Sequence, residues 1–521
     1  MVELRWGVAG TRRIRASRLS AVSAAVMVLG CSDAAYAADL GNMPTKAPPA
    51  PPGPTTCTSI EDFFTTACQL SWFGVRFYGT VDVGGGYQTN GSHFAKFTGA
   101  GINYFLGKAN NGGKWAFAPN ALSGSNIGVQ IKEPLGAGWS FIGQLEAGFN
   151  PYSLQLADGV HSLYVERGIP LGLQNAAADS NSQGAFYNNL GFAGVSNDTY
   201  GTLTFGRQNT LMTDAILAYD PLSNSLAFSA LGFFGSWGGG GDTQDKKATT
   251  AIKYRVSYAN WHFGAFGQVG GYEQQNAERG AFQGDVGADF KVGPGVFSTD
   301  VIAGYTKDAV AMAVAGTPTD KFGHPINIFT PGFGNAFLSA TLSDNAVVMV
   351  NAKYTMERVK LYAGWEWVQQ KNPSDPFIVP GSGFTDVAGD FVCFGCTNIN
   401  GTSISSTAFN TGNKIFQIAW FGGTYALLPT LDLTAAYYHE WQNDFSGGAK
   451  NAAGGTCAVA TTALSSCAGT LDAVSIVLDW KFAPKWDTYI GTLYEQINGG
   501  LANGFLARNT WQTTAGVRFR W

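Results

Sequence analysis

Charge is scarce in this chain: 13% of its 521 residues are charged, against 45% hydrophobic. With 32 Lys+Arg and 36 Asp+Glu there is no basic surplus to hold a polyanion, which argues against nucleic acid as a partner. Long hydrophobic runs are missing as well. No stretch reaches the roughly eighteen apolar residues of a spanning helix, so a helical membrane protein is excluded. Histidine is rare: His93, His161 and His324 fall in loops, His262 and His439 in separate strands. That distribution supplies neither a metal set nor a Ser/His/acid arrangement, and His439-Glu440 lacks the second histidine of a zinc motif. No catalysis and no cofactor are expected. What is plentiful is glycine (69 residues) and aromatics (13%), the stock of tight turns and interfacial belts.

Apolar content is delivered by alternation instead. At the C-terminal end Trp511, Ala515, Val517, Phe519 and Trp521 share one parity, and Gln512, Thr514, Arg518 and Arg520 the other. A strand sends alternate side chains to opposite faces, so this one has a greasy face with aromatics at both ends and a wet face. It resembles the closing strand of Gram-negative outer-membrane barrels, which usually end in Phe rather than Trp. The same pattern recurs upstream. Val75, Phe77, Val81 and Val83 oppose Arg76, Tyr78, Thr80 and Asp82; Ile252, Tyr254, Val256 and Tyr258 oppose Lys253 and Arg255; Leu361, Ala363, Trp365 and Trp367 oppose Lys360 and Glu366. Strands are expected at 74–87, 125–133, 138–149, 186–196, 200–208, 249–259, 261–272, 280–292, 296–308, 346–356, 359–370, 413–426, 431–443, 471–482, 486–497 and 511–521. Short turns such as Ala259-Asn260 and Pro429-Thr430 alternate with long Gly/Asn/Ser-rich segments. The fold class is therefore all-β: a transmembrane antiparallel barrel of about sixteen strands, apolar outside and polar inside, in contact with outer-membrane lipid.

The chain divides into three expected parts: 1–37, 38–73 and 74–521. Residues 1–37 read as a secretory signal, with five arginines, a short apolar core and Ala35-Tyr36-Ala37 before the cut; Val28-Leu29-Gly30-Cys31 is a competing lipoprotein box. Removing it takes away 5 basic and 2 acidic residues, which leaves 27 against 34 and a formal charge near −7. Residues 38–73 begin as a Pro-rich extended linker. Six cysteines then remain, consistent with an oxidising compartment. Cys57 with Cys68, Cys393 with Cys396 and Cys457 with Cys467 are the simplest pairs, although pairing between the two later loops stays open.

Two stretches carry a more specific resemblance. Ile127-Gly128-Val129 through Gln144-Leu145-Glu146-Ala147-Gly148-Phe149, and Tyr200-Gly201-Thr202-Leu203-Thr204-Phe205-Gly206-Arg207-Gln208 followed by Tyr219-Asp220-Pro221, resemble trimeric general-diffusion porins. The resemblance implies an outer-membrane homotrimer that passes small hydrophilic solutes and ions. It also implies a third loop, here 209–248, folded into the barrel so that loop acids face wall cations. Carried over by position, Asp214 and Asp220 are the loop carboxylates and Arg255, beside Lys253, is a wall arginine. Asn126 and Asn189 stand where familiar members have wall arginines, and Asn224 stands where a second loop acid would be. Arg207 shares parity with Leu203 and Phe205 and is assigned to the loop base or a subunit contact. Two readings of Asp220 stay open: a lumen charge, or an Asp-Pro turn that caps the loop. The loop aromatics Tyr219, Phe228, Phe233, Phe234 and Trp237 either pack the loop on the wall or guide sugars, the latter giving an oligosaccharide-selective channel. On the local count, two carboxylates against one trusted arginine, the pore should prefer cations modestly.

Overall fold

The computed structural model describes residues 56–90, 104, 106, 112–154, 156, 187, 189–231, 247–269, 280–309, 343–371, 413–444, 468–502 and 507–521. The expected signal, the linker up to residue 55, Cys393, Cys396, Cys457, Cys467, Phe233, Phe234 and Trp237 lie outside the described residues.

Two short strands, β1 (Leu70–Trp72) and β3 (Lys114–Pro119), accompany the long ones. The long strands are β2 (Val75–Gln88), β4 (Ser125–Gly136), β5 (Trp139–Phe149), β6 (Leu190–Asn197), β7 (Gly201–Asn209), β8 (Lys247–Tyr258), β9 (Trp261–Val269) and β10 (Gly280–Val292). They continue as β11 (Gly295–Ala309), β12 (Ser343–Met356), β13 (Val359–Lys371), β14 (Lys414–Leu428), β15 (Leu431–Gln442), β16 (Gly469–Ala483), β17 (Trp486–Gly499) and β18 (Asn509–Arg520). Each pairs antiparallel with its neighbours, and β18 returns to β2 with Val517 opposite Val83. The result is a closed ring of sixteen strands. Closure leaves no edge and pairs the backbone within the sheet, which a β protein in lipid requires. No helix among the described residues is long and apolar enough to cross a membrane.

The sixteen expected strands are all present, with ends shifted where alternation is weakest: 186–196 becomes Leu190–Asn197 and 261–272 becomes Trp261–Val269. The two extra strands extend the flanks of β2. Leu70–Trp72 runs beside Val75–Phe77, and Lys114–Pro119 beside Val83–Gln88. The second lies inside 88–124, which the sequence reads as loop throughout. The hairpin turns impose left-handed backbone at Ala137 (φ 51), Ala259 (φ 52) and Glu357 (φ 42), as tight turns between twisted strands demand.

The expected parity holds. Phe77 is 47% exposed and Ile127 55% on the outer face, while Asp82 and Glu366 are buried on the inner one. Trp365 and Trp367 stand outside, on the parity of exposed Leu361. At the rim where both ends of the barrel meet, aromatics gather into a girdle: Trp139 stacks on Tyr200 at 5.9 Å and Phe519 on Trp521 at 5.3 Å. A disulfide joins Cys57 to Cys68 across the short helix α1 (Ile60–Thr65). Lys485 Nζ donates to Phe63 O (2.7 Å) and Trp486 Nε1 to Phe64 O (3.2 Å), fastening this stapled segment to the same rim.

The outer face makes a direct prediction. Val350, mid-strand in β12 and 40% exposed, meets hydrocarbon. Val350→Lys should cost about 2–4 kcal/mol in folding into phospholipid vesicles, measured by urea titration. An unchanged midpoint would mean that the face is not lipid-exposed.

Candidate functional site

After β7 the chain turns into the barrel. Thr210 caps the helix α2 (Leu211–Tyr219) by accepting from Thr213 N, and Leu211 N and Met212 N both donate to Gln283 Oε1 on β10 (2.8 and 3.3 Å). One face of α2 buries Leu211, Met212, Ala215, Ile216 and Tyr219. They join an apolar cluster with the inward residues Ile302, Val347, Met349, Val368, Ile418 and Trp420. This corrects the expectation of a uniformly polar interior: where the loop covers the wall, the wall is apolar too, because both surfaces leave water together. Leu217, on the other face of α2, is 42% exposed to the lumen.

Polar latches hold the loop along its length. Trp420 Nε1 donates to Tyr219 O at 3.2 Å, its ring packed against Gly364, where a Cβ would come within 2.0 Å of Cζ2. Lys353 Nζ reaches Ala218 O at 3.3 Å. Farther on, Ser475 Oγ donates to Phe228 O, Gln512 Nε2 to Ala227 O, and Ala227 N to Ala121 O. Phe228, fully buried, meets Tyr489 edge-on at 6.2 Å. The described part of the loop thus runs along the wall from β10 to β18, and Ser225 and Ala227 bond to Ala121 O beside residues 120–123. That second inward piece is itself fixed, since Leu122 N and Ser123 N donate to Asp82 Oδ2 (2.9 and 2.8 Å) and Tyr489 OH donates to Oδ1. Sequence reasoning missed it; the signal available was the apolar, turn-poor run at Trp115–Ala118.

The charged residues expected at the constriction separate into groups. Asp214, Lys253 and Arg255 come together: Asp214 Oδ2 lies 2.9 Å from Lys253 Nζ and 3.0 Å from Arg255 Nη2. The Arg255 side chain is 40% exposed and its Nη1 is 4.0 Å from Asp285 Oδ2. Inward beside it stand three residues that the sequence did not single out for the pore: Asp285, Asp289 and Asp300, with His262 Nε2 2.5 Å from Asp300 Oδ1 and His262 Nδ1 3.9 Å from Asp289 Oδ2. The Asp289 side chain is 56% exposed. Period-2 parity on β10 and β11 was the signal that could have found them.

Asp220 stands elsewhere. It is 1% exposed; Tyr438 OH donates to Oδ1 at 2.7 Å, Leu222 N to Oδ1 and Asn224 N to Oδ2. The carboxylate turns away from the lumen and ties the turn after α2, the geometry of the capping reading rather than of a lumen charge. Full burial pushes its carboxyl above the ordinary carboxylate range, partly offset by the Tyr438 and Ser229 hydroxyls and the two amides. Tyr219, 3% exposed, and Phe228 are likewise packed rather than open to solute. On the opposite wall Asn189 Nδ2 donates to Glu146, which also accepts from Tyr78 OH at 2.6 Å. Asn126 presents a buried Oδ1 with no partner among the described residues. Arg207 lies with Glu146 close to Lys247, at the loop base.

Asp220→Ala removes an acceptor from one hydroxyl and two amides and should free the turn, raising open-channel current noise in planar bilayers. Asp220→Asn keeps an acceptor and should leave noise and reversal potential near wild type. A reversal-potential shift in Asp220→Asn with unchanged noise would place the carboxylate in the ion path after all.

Comparison with known proteins follows the same geometry. The chain is similar to the anion-selective porin from Comamonas acidovorans (12% identity over 86% of this chain and 99% of that one, TM-score 0.49). It is also similar to OmpT, an outer membrane protein of Vibrio cholerae (14%, 87% and 100%, TM-score 0.47), and to the outer membrane channel DcaP of Acinetobacter baumannii (12%, 86% and 97%, TM-score 0.45). No curated protein matches it. The Gram-negative porin family model matches residues 21–498, most of the chain, and the chain belongs to that family.

Proposed function

We propose that this outer-membrane porin passes small hydrophilic solutes and ions by diffusion, without chemical turnover, through an aperture set by the loop beginning at Thr210. The observation that carries the reading is α2 latched inside the closed ring beside the exposed charges of Arg255 and Asp289. Nothing moves a substrate in such a channel except its gradient; the wall supplies a field that screens solutes. His439-Glu440, the one dipeptide resembling a metal motif, is split between faces, with Glu440 inward at 2% exposure and His439 outward.

Near the constriction the field comes from Asp214, Asp285, Asp289 and Asp300 against Lys253 and Arg255, with His262 set between Asp289 and Asp300. Screening over about 8 Å makes this local count outweigh distant charge, and it favours cations modestly. Asp214 is already neutralised by two partners, so the exposed Asp289 and Arg255 carry most of the effect. A homotrimer fits the outer face of β2, where the small and medium side chains of Val81, Val83 and Gly85 leave room for a neighbour, Gly79 itself lying under the Trp521 ring. The oligosaccharide-selective alternative has less support, because Tyr219 and Phe228 are packed.

Planar-bilayer recording tests the reading. Conductance should enter in triplets of equal steps, rise in proportion to salt, and show no saturable block by added maltooligosaccharides. In a KCl gradient Arg255→Ala should raise cation preference and Asp289→Asn lower it. Anion preference in the wild type, or no response in either variant, would overturn the assignment.

A further inference from the structure

Among the described residues the outer wall carries a site that an apolar, lipid-facing surface does not need. On β15 Tyr437, His439 and Trp441 point outward, and on the adjacent β16 so does Asp472, paired directly opposite His439. His439 Nδ1 lies 2.6 Å from Asp472 Oδ1, and Tyr437 OH donates to the same oxygen at 2.6 Å. The imidazole meets the Trp441 ring edge-on at 4.1 Å, and Tyr437 packs beside Phe421 of β14 at 5.5 Å. These groups frame an open hollow of about 330 Å³ floored by Ala419. All around it the wall is apolar and exposed, with Val474 at 45%, Ile476 at 48% and Phe421 at 61%.

Depth in the membrane sets what such a site can meet. β14 and β15 are joined by the short turn at 429–430, so His439, Trp441 and Asp472 lie toward the other rim, where the long connections leave the barrel. In a porin that rim faces the cell exterior, at the headgroup level of the outer leaflet. A charged side chain there costs about 0–1 kcal/mol, against several at the midplane. The pair is thus tolerated at this depth, but tolerance does not explain a built cluster.

We propose that this hollow binds the saccharide headgroup of an outer-leaflet glycolipid, with a pyranose face on the Trp441 and Tyr437 rings and hydroxyls donating to Asp472. Three features select a sugar. Aromatic rings lining an open hollow match the apolar face of a pyranose while its hydroxyls stay wet. Both protein bonds fall on Asp472 Oδ1, which leaves Oδ2 for an outside donor. A phosphate, by contrast, would be set against that carboxylate, with His439 already committed to it. The acyl chains of the same molecule would run along Phe421, Val474 and Ile476 toward the midplane.

Native mass spectrometry of the full-length protein, refolded in detergent and offered a dephosphorylated lipid A disaccharide or phosphatidylglycerol, tests this. The wild type should retain the disaccharide lipid over phosphatidylglycerol, and Asp472→Ala or Trp441→Ala should lower retention about tenfold, the scale of one charge-assisted bond. Asp472→Asn, which keeps an acceptor and folds without an unpaired charge, should lose less than Asp472→Ala. Trp365→Ala, an outward tryptophan on another strand, should have no effect. Equal retention of both lipids, or retention that depends on adding phosphate to the disaccharide, would overturn the proposal. So would a change in oligomeric state with unchanged lipid retention, which would make the hollow a contact between copies of the chain.

Discussion

Hydrocarbon offers a backbone amide no hydrogen-bond partner, and everything else in this structure depends on that constraint. A sheet in lipid has to close, and β18 closes it on β2 through nine registered residue pairs. Closure fixes the two faces of every strand, so outward positions within the hydrocarbon favour apolar side chains and inward positions are released from that demand. The short turns then collect at one rim and the long connections at the other. The stapled segment around Cys57 and Cys68 adds to this at the seam, where Phe63 and Phe64 pack on Phe519 beside the junction.

Inside the ring a second physical problem is solved by similar means. A loop lying in water-filled space has little reason to stay put, since ordering each residue costs about 1–2 kcal/mol of conformational entropy. Here the loop is held by apolar burial against an inner wall made apolar to receive it, and by side-chain bonds to its carbonyls from Lys353, Trp420, Ser475 and Gln512. Asp220 belongs to this holding apparatus. The bonds of Asp214 to Lys253 and Arg255 tie the helix to β8, and under the proposed function they also reduce the charge seen by passing ions. In the proposed function the aperture and the field inside it are consequences of one packing arrangement.

The strands were legible because lipid enforces alternation. Val359–Lys371 and Asn509–Arg520 show it plainly, and Arg255 was placed on the lumen side by parity alone. Alternation says less where both faces are covered. On β14 Ile415-Phe416 and Trp420-Phe421 are apolar on both parities, and only the structure separates the members that meet lipid from those that meet the loop. Two-period reading also cannot see contacts between distant segments. Nothing in the sequence near Asp82 announces that it will hold Leu122 and Ser123, and nothing near Asp220 announces Tyr438. The fate of Asp220 turned on burial, a property of the folded loop rather than of the Asp-Pro dipeptide.

The central claim is that α2 lies in the path of conduction, its Leu217 face bare to water and its other face on the wall. Leu217→Cys, treated in an open channel with a bulky water-soluble methanethiosulfonate, tests it most directly, with wild type under the same reagent as the control for native thiols. Single-channel conductance should fall stepwise as each pore is labelled and recover on reduction. Complete labelling with unchanged conductance would contradict the account, because the helix would then lie outside the path that ions take.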